Sequence, residues 1–270
     1  MQNADIRVEA VGPILRLTLT RDAKSNAINL AMWQGLVEAT SHFAQTPELR
    51  VMLLCAEGRY FSAGADLNGP LIPDPSITSA AEFRRWYRSG EGSLHGLGDA
   101  WEALEKPVVV AHQGPCLGGA LELSLCADFR LASEAAVYGL PEIALGGIPG
   151  SGGTSRLTRL AGPHWARWMI LANQKVDAAR ALSIGIVHDV YAPAEFAARV
   201  DGFCTALAAQ PPEAFAAGKL AIELAADLDR AQARNVERLA VSSLIGGGEY
   251  QTLMAAMQAR LARPEKPAKP

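Results

Sequence analysis

Hydrophobic and polar residues alternate, or hydrophobic residues run together, in several short segments of the first half of the chain. In PILRLTLT, Leu15, Leu17 and Leu19 fall on one face, which predicts a half-buried strand. RVMLLCA and PVVVAH are continuously apolar and predict buried strands. DFRLAS and AVYGL, further along, also predict strands.

Helical periodicity first appears after Asn29, a residue type that caps helix N-termini. The predicted apolar stripe of this helix consists of Leu30, Trp33, Leu36, Val37 and Phe43. A second helical stretch, AAEFRRWYRSG, starts at Ser79, and glycines separate it from a further piece that ends at Lys106. Its aromatic pair, Trp86 and Tyr87, fits either a core position or the lining of a pocket.

The chain becomes mostly helical after Gly150, and residues 211–263 predict three helices with almost no strand signal. This change predicts an α/β core over residues 1–200 and a C-terminal helical region over residues 201–263. Residues 264–270 are polar and proline-rich, and we expect a disordered tail.

Composition narrows the possible functions. The 270 residues are 49% hydrophobic and 20% charged, with a net charge of −3, which is typical of a globular protein without a basic surface for nucleic acid. No apolar run is long enough to cross a bilayer and no leader pattern is present, so we expect a cytoplasmic protein. Four cysteines without CxxC spacing and five histidines without HExxH spacing predict buried free thiols and no metal site.

Two isolated carboxylates stand out against this background. Glu122 is the only formal charge in VVVAHQGPCLGGALELSLCA, and Glu142 is the only charge between Glu134 and Arg156. A buried lone carboxylate is costly unless it is paired, neutralised or used. The sequence therefore raises the question of whether the two carboxylates belong to one site.

Glycine-rich turns lie beside both carboxylates. The strand–turn–helix pattern places Gly118 and Gly119 at a helix N-terminus, where main-chain N–H groups lack partners, with Glu122 one turn further on. The loop FSAGAD is a second source of such donors. The alternative, that these glycines only allow close packing and that Glu122 is a partly exposed residue of the helix start, remains open at this point. PGSGGTSRL matches no phosphate-loop pattern and predicts a turn into a helix, with Ser151 or Thr154 as its local cap.

Taken together, these segments resemble the crotonase family, the enoyl-CoA hydratase/isomerase superfamily. The matching segments are AKSNAINLAM, FSAGADL, KPVVVAHQGPCLGGALELSLCADFRLASEAAVYGLPEIALGGIPGSGGTSRLTRLAG and ALSIGIVHDV. They follow the family's order and cover most of residues 5–195.

The resemblance implies a role for individual residues. Ala65 and Gly119 match the two amides of an oxyanion hole, and Glu122 and Glu142 match the two catalytic glutamates of hydratases. The segments that would flank the coenzyme A part of the substrate contribute Lys24, Ser25, Ala63, Asp66 and Leu67.

The resemblance also implies the architecture and the chemistry. The fold would be a spiral of ββα turns followed by C-terminal helices that form trimers, or hexamers built from paired trimers. The substrate would be an acyl-CoA thioester, and neither a metal nor a separate cofactor would be needed. By analogy, Glu122 would deprotonate the attacking water and Glu142 would protonate C2 of a 2-enoyl thioester.

The chain departs from the family pattern at two positions of these motifs. Ala120 replaces a frequent third glycine, and Asn68 replaces a frequent basic residue that contacts a CoA phosphate. Alternatives within the fold are a double-bond isomerase, which needs only the base at Glu142, or a specialised dehydratase. A non-catalytic RNA-binding or scaffold protein of the same fold is a further alternative, disfavoured by the negative net charge and by the presence of both glutamates.

Overall fold

The computed structural model describes residues 5–68, 76–89 and 93–261, so the predicted disordered tail lies outside the described residues. The larger sheet has six strands: β1 (Ile6–Val11), β2 (Ile14–Leu19), β3 (Val51–Ala56), β4 (Val108–His112), β6 (Phe129–Ser133) and β9 (Asp189–Tyr191). Their order is β1-β2-β3-β4-β6-β9. β1 and β2 are antiparallel, and every other neighbouring pair is parallel.

A second sheet has three strands: β5 (Cys116–Leu117), β7 (Val137–Gly139) and β8 (Val176–Asp177). The chain passes from the large sheet to the small one and then into a helix, first through β4 and β5 and then through β6 and β7. An isolated parallel bridge between Ser62 and Cys116 joins the segment after β3 to the same small sheet. The predicted α/β class and spiral of ββα turns are confirmed.

Ten α-helices are present in the described part of the chain. They are α1 (Leu30–Gln45), α2 (Ala80–Ser89), α3 (Leu94–Ala103), α4 (Gly119–Ser124), α5 (Gly153–Ala166), α6 (Ala178–Ser183), α7 (Pro193–Ala208), α8 (Pro212–Ala225), α9 (Arg230–Ile245) and α10 (Gly248–Leu261). A 3₁₀ turn, Pro141–Leu145, follows β7. None of the helices in the described segments is both long and apolar enough to cross a membrane.

The large sheet is covered on both faces. Leu15, Leu17 and Leu19 lie in the main core as predicted, but β2 is not half-buried, because Ile14 on the opposite face packs in a second cluster under α7. Arg16, also on β2, forms an ion pair with Asp201 of α7 at 2.5 Å. The strand pattern predicts one buried face, and the helix that buries the other is encoded almost two hundred residues later.

The chain divides into a compact unit that ends at Ala209 and a second unit that begins at Gln210. The boundary predicted at residue 200 falls inside α7, whose Phe196, Val200 and Cys204 pack on the sheet, so the packed core includes the whole helix. The second unit contains the three predicted helices, α8 to α10, up to Leu261.

Helix α1 begins where its cap predicts. The Asn29 side chain accepts a hydrogen bond from the Met32 amide at 2.8 Å. The predicted stripe is partly wrong, because Leu30 and Val37 are 38% and 36% exposed. The buried positions of α1 are Met32, Gly35, Leu36, Ala39, Thr40 and Phe43.

Replacement of the cap tests its contribution to the fold. We expect Asn29→Ala to lower the free energy of unfolding by about 1 kcal/mol, because the Met32 amide loses its acceptor. Urea denaturation followed by circular dichroism measures the change. Gln45→Ala, an exposed change at the other end of α1, is the matched control and is expected to have a smaller effect. Equal losses in the two variants would contradict the assigned role of the cap.

Candidate active site

The turn between β5 and α4 presents a main-chain amide at a helix N-terminus. Gly118 has φ 54° and ψ −135°, a conformation that favours glycine, and its own amide donates to Gly139 O at 2.9 Å. Helix α4 begins at the next residue, Gly119, whose amide is one of those without an intrahelical acceptor.

The FSAGAD loop lies directly against this turn. A Cβ placed on Gly64, which has φ +96°, would lie 2.8 Å from Leu117 O and 3.2 Å from the Gly119 amide nitrogen. A Cβ placed on Gly119 would lie 3.7 Å from the amide nitrogen of Ala65. The absence of a side chain at both glycines therefore brings the amides of Ala65 and Gly119 next to each other.

Pairing with a neighbouring segment leaves the Ala65 amide unused. The bridge to Ile28 uses Gly64 O, which accepts from Ile28 N at 2.8 Å, and Asp66 N, which donates to Ile28 O at 3.0 Å. The amides of Ala65 and Gly119 have no acceptor within the described ranges. Two adjacent unpaired donors of this kind can bind an oxygen atom that carries negative charge.

Glu122 lies on α4 and is 4% exposed, so the alternative of a partly exposed residue at the helix start is wrong. Its Oε2 accepts hydrogen bonds from the amides of Ser151 at 2.6 Å and Gly153 at 2.9 Å. The carboxylate thus caps the N-terminus of α5. The prediction that Ser151 or Thr154 provides this cap is wrong: neither side chain caps the helix, and the Thr154 hydroxyl donates to Pro149 O instead.

Close approach of α5 to Glu122 depends on glycine. A Cβ on Gly153 would lie 2.7 Å from Glu122 Cγ and 2.9 Å from Oε2, distances that require a displacement. The glycines of PGSGGTSRL therefore allow the amides of Ser151 and Gly153 to reach the Glu122 carboxylate. Glu122 lies 29 residues before Ser151 and 31 residues before Gly153 in the chain.

Burial sets the protonation behaviour of Glu122. Desolvation raises its pKa to about 7, and repulsion by Glu142 acts in the same direction. The hydrogen bonds from Gly153 and Ser151 and the positive charge of Arg156 oppose this rise because they favour the ionised form. The group is therefore poised to exchange a proton near neutral pH.

Glu142 lies in the 3₁₀ turn Pro141–Leu145, on the other side of the Gly118 turn. A Cβ placed on Gly118 would lie 3.2 Å from Glu142 Oε1. Its Oε2 is buried and has no hydrogen-bond partner among the described residues, and burial raises the pKa of this carboxyl. Glu142 thus lies against the Gly118 turn, Glu122 lies on the helix that begins directly after this turn, and the two carboxylates interact electrostatically.

The segments predicted to flank coenzyme A also lie side by side. The amide of Ala63 donates to Ser25 O at 2.9 Å. Lys24, which precedes Ser25 in the chain, is exposed. Leu67, two residues beyond Ala65, is 61% exposed. The hydrogen bond between Ala63 and Ser25 joins the segment of Lys24 and Ser25 to the FSAGAD loop.

Asp66 belongs to this loop, but its side chain is engaged within the protein. Its carboxylate forms an ion pair with Arg21 at 2.7 Å and accepts from the Asn68 amide at 3.0 Å. The Asn68 amide and Arg21 lower the pKa of Asp66. Both the carboxylate and the main-chain amide of Asp66 therefore have partners within the protein.

Several residues of the site were not identified from the sequence. Tyr87 of α2 lies with its hydroxyl 3.1 Å from that of Ser151, next to the Glu122 carboxylate. Arg156 of α5 forms ion pairs with Glu102 at 2.5 Å and Asp99 at 2.8 Å. The sequence signal for Tyr87 was its place in the adjacent aromatic pair at positions 86 and 87. For Arg156 the only signal was that it is the first charged residue after Glu142.

A buried polar network lies behind α4. His112 bonds to the Ser124 hydroxyl at 2.9 Å and to the Tyr138 hydroxyl at 3.1 Å. Burial lowers the pKa of His112 to about 3, so its ring stays neutral. The network joins α4 to both sheets. The described residues include no cluster of metal-binding side chains, and all four cysteines are free.

Comparison with known proteins agrees with this geometry. Residues 9–259 match the family described as enoyl-CoA hydratase/isomerase. The chain is 37% identical over 212 residues to carnitinyl-CoA dehydratase of Salmonella typhi (77% of this chain and 76% of that protein). It is 36% identical over 179 residues to 2,3-dehydroadipyl-CoA hydratase of Escherichia coli K12 (66% of each).

A solved structure resembles the whole chain. The enoyl-CoA hydratase from Bacillus anthracis superposes with a TM-score of 0.84 at 28% identity, covering 95% of this chain and 96% of that one. The fold is therefore the crotonase fold, and the chain belongs to the enoyl-CoA hydratase/isomerase family.

Proposed function

We propose that the protein is an enoyl-CoA hydratase, which adds water reversibly to a 2-enoyl-CoA thioester. The proposal is supported by two adjacent main-chain amides without an acceptor in the described residues, those of Ala65 and Gly119, in a region where Glu142 contacts the Gly118 turn and acts electrostatically on Glu122. Such a set supplies both requirements of the reaction, which are stabilisation of a thioester enolate and transfer of protons.

The two amides would bind the thioester carbonyl oxygen. As water adds to C3, negative charge develops on this oxygen, and fixed main-chain dipoles stabilise it without reorganisation. The amides of Ala65 and Gly119 are suited to this role, because no acceptor in the described segments competes for them. Loss of one such donor typically costs about 3–4 kcal/mol of transition-state stabilisation.

The two glutamates would divide the proton transfers. Glu122 is held by two amides that favour its ionised form, which suits a base that removes a proton from the attacking water. Glu142 has a buried oxygen without a hydrogen-bond partner in the described segments, which favours the protonated form and suits an acid that donates to C2. The dehydration direction uses the same groups with their roles reversed, so the site fits a dehydratase equally well.

An isomerase is the second candidate within the family, because proton transfer between carbons requires only one base. The two amide donors that hold Glu122 in place argue for a second carboxyl that takes part, which favours chemistry with water. The coenzyme A part of the substrate would lie along Lys24, Ser25, Ala63, Asp66 and Leu67. No further cofactor is proposed.

Removal of each carboxylate tests the proposed mechanism. We expect Glu122→Gln and Glu142→Gln each to lower kcat for hydration of crotonyl-CoA by at least about 100-fold, because each removes a proton-transfer group. The decrease in absorbance of the conjugated enoyl thioester, followed at saturating substrate, measures kcat. Glu134→Gln, an exposed change outside the site, is the control. Parental turnover in either site variant would rule out a mechanism that uses both carboxyls.

The pH dependence gives an independent test. Glu122 has to be ionised to accept a proton, and its pKa is raised to about 7. We therefore expect kcat/KM to fall about tenfold per unit as the pH decreases below this pKa. The residual activity of Glu122→Gln should lack this limb. A profile that is flat down to pH 5.5 would contradict the assignment of Glu122 as base.

The assembly is also a proposal. Large apolar residues are exposed on all three helices of the second unit, including Leu220, Ile222, Leu239, Val241, Ile245 and Leu253. Exposed apolar residues in such number are typical of surfaces that bind another chain. We expect a homotrimer, or a hexamer of paired trimers, with the mass of three or six chains by sedimentation equilibrium. A monomer at micromolar concentration would contradict this expectation.

A further inference from the structure

The loop that binds Glu122 is itself held by a neighbouring helix. The hydroxyl of Tyr87, on α2, forms a hydrogen bond of 3.1 Å with the hydroxyl of Ser151. The amide of the same serine donates to Glu122 Oε2 at 2.6 Å. Ser151 therefore binds α2 through its side chain and the carboxylate through its main chain.

The rest of this loop has few side chains that can fix its position. Gly150, Gly152 and Gly153 surround Ser151, and a Cβ on Gly150 would lie 3.0 Å from the Tyr87 hydroxyl, so the tyrosine is in contact with the loop backbone. Arg156 donates to Ser151 O only at 3.4 Å, while its shorter bonds go to Glu102 and Asp99. Apart from the Glu122 carboxylate, the Tyr87 hydroxyl is thus the side-chain group that makes the shortest hydrogen bond to Ser151 within the described residues.

We propose that Tyr87 is a positioning residue that acts through Ser151 to fix the amide that orients the Glu122 carboxylate. This proposal rests on the proposed function, since orientation of Glu122 matters to catalysis only if Glu122 activates water. It adds that the orientation of the base, Glu122, depends on the hydrogen bond between the hydroxyls of Tyr87 on α2 and Ser151 in the loop before α5.

The chemistry of the pair suits a permanent contact. Burial raises the pKa of Tyr87, so its hydroxyl stays protonated over the working range of pH. Half-buried as it is, the ring also stacks on Phe83 at 5.5 Å and on His95 at 6.4 Å, which restrains its position. The amides of Ala65 and Gly119 lie in the FSAGAD loop and at the start of α4, and within the described residues neither is hydrogen-bonded to this pair.

Hydroxyl deletions separate this role from substrate binding. We expect Tyr87→Phe and Ser151→Ala each to lower kcat about tenfold, the effect of one hydrogen bond of moderate strength. KM should change by less than about twofold, because the groups that bind the thioester are untouched. The double variant should be no slower than either single variant, since both changes remove the same bond. Ser151→Thr, which keeps a hydroxyl, should restore most of the rate.

Matched controls make the same chemical changes elsewhere. Tyr191→Phe on β9 and Ser183→Ala on α6 remove hydroxyls far from Glu122 in the chain and should leave kcat at the parental value. Parental kcat in Tyr87→Phe would overturn the proposal. Losses that multiply in the double variant, or that appear in KM instead of kcat, would overturn it as well.

A measurement without substrate distinguishes this proposal from the proposed function. Infrared spectroscopy of carboxyl-labelled protein, with Glu122→Gln subtracted, reports the titration of Glu122. Ionised or polar groups that interact with Glu122 are Glu142, Arg156 and Tyr87, together with the two loop amides that lower its pKa. A loosened loop weakens those amide bonds, so the pKa of Glu122 should rise in Tyr87→Phe.

The hydration assay and the titration of Glu122 test the two proposals independently. If the parental protein hydrates no enoyl-CoA, the proposed function fails, and the titration still decides whether Tyr87 orients Glu122. A higher titration midpoint in Tyr87→Phe and an unchanged midpoint in Tyr191→Phe support the positioning role. An unchanged midpoint in both variants overturns it.

Discussion

The cost of burying a carboxylate governs the centre of this protein. Glu122 lies in an otherwise apolar segment and is removed from solvent, so its ionised form requires donors that stay in place. The chain supplies them as the amides of Ser151 and Gly153, at the start of a helix whose dipole also favours negative charge. Glycine at position 153 and the course of the loop before it follow from this single requirement.

The spiral brings three distant segments to one place. The FSAGAD loop follows β3, the Gly118 turn follows β5, and the Glu142 turn follows β7. Strands β3 and β4 run parallel in the large sheet, and the segments that follow them are joined to each other and to β7 through the small sheet. The two main-chain donors therefore lie in the FSAGAD loop and the Gly118 turn, and the two carboxyls lie on α4, directly after that turn, and on the Glu142 turn.

Much of this arrangement can be predicted from the sequence. The apolar segments located the strands, Asn29 located the start of α1, and Glu122 and Glu142 stood out as lone charges among apolar residues. These signals are local, because each depends on neighbours within a few positions of the chain.

The errors have a common physical origin in contacts between distant residues. The second face of β2 is buried by α7, and the cap of α5 comes from α4, so neither can be deduced from nearby residues. Leu30 and Val37 satisfy the helical periodicity but lie at the edge of the stripe, and tertiary packing selected Met32 and Ala39 instead. Tyr87 was ambiguous for the same reason, since its partner Ser151 is 64 residues away.

The proposed binding of a carbonyl oxygen by the main-chain amides of Ala65 and Gly119 has a consequence for how such a protein can diversify. An amide hydrogen is present whatever side chain the residue carries, and it neither titrates nor oxidises. Substitutions in the surrounding side chains can therefore change the shape of the space around an acyl group, while the main-chain hydrogen bonds to the carbonyl oxygen are kept. A scaffold of this kind separates the part of a catalyst that evolution can vary from the part that it keeps.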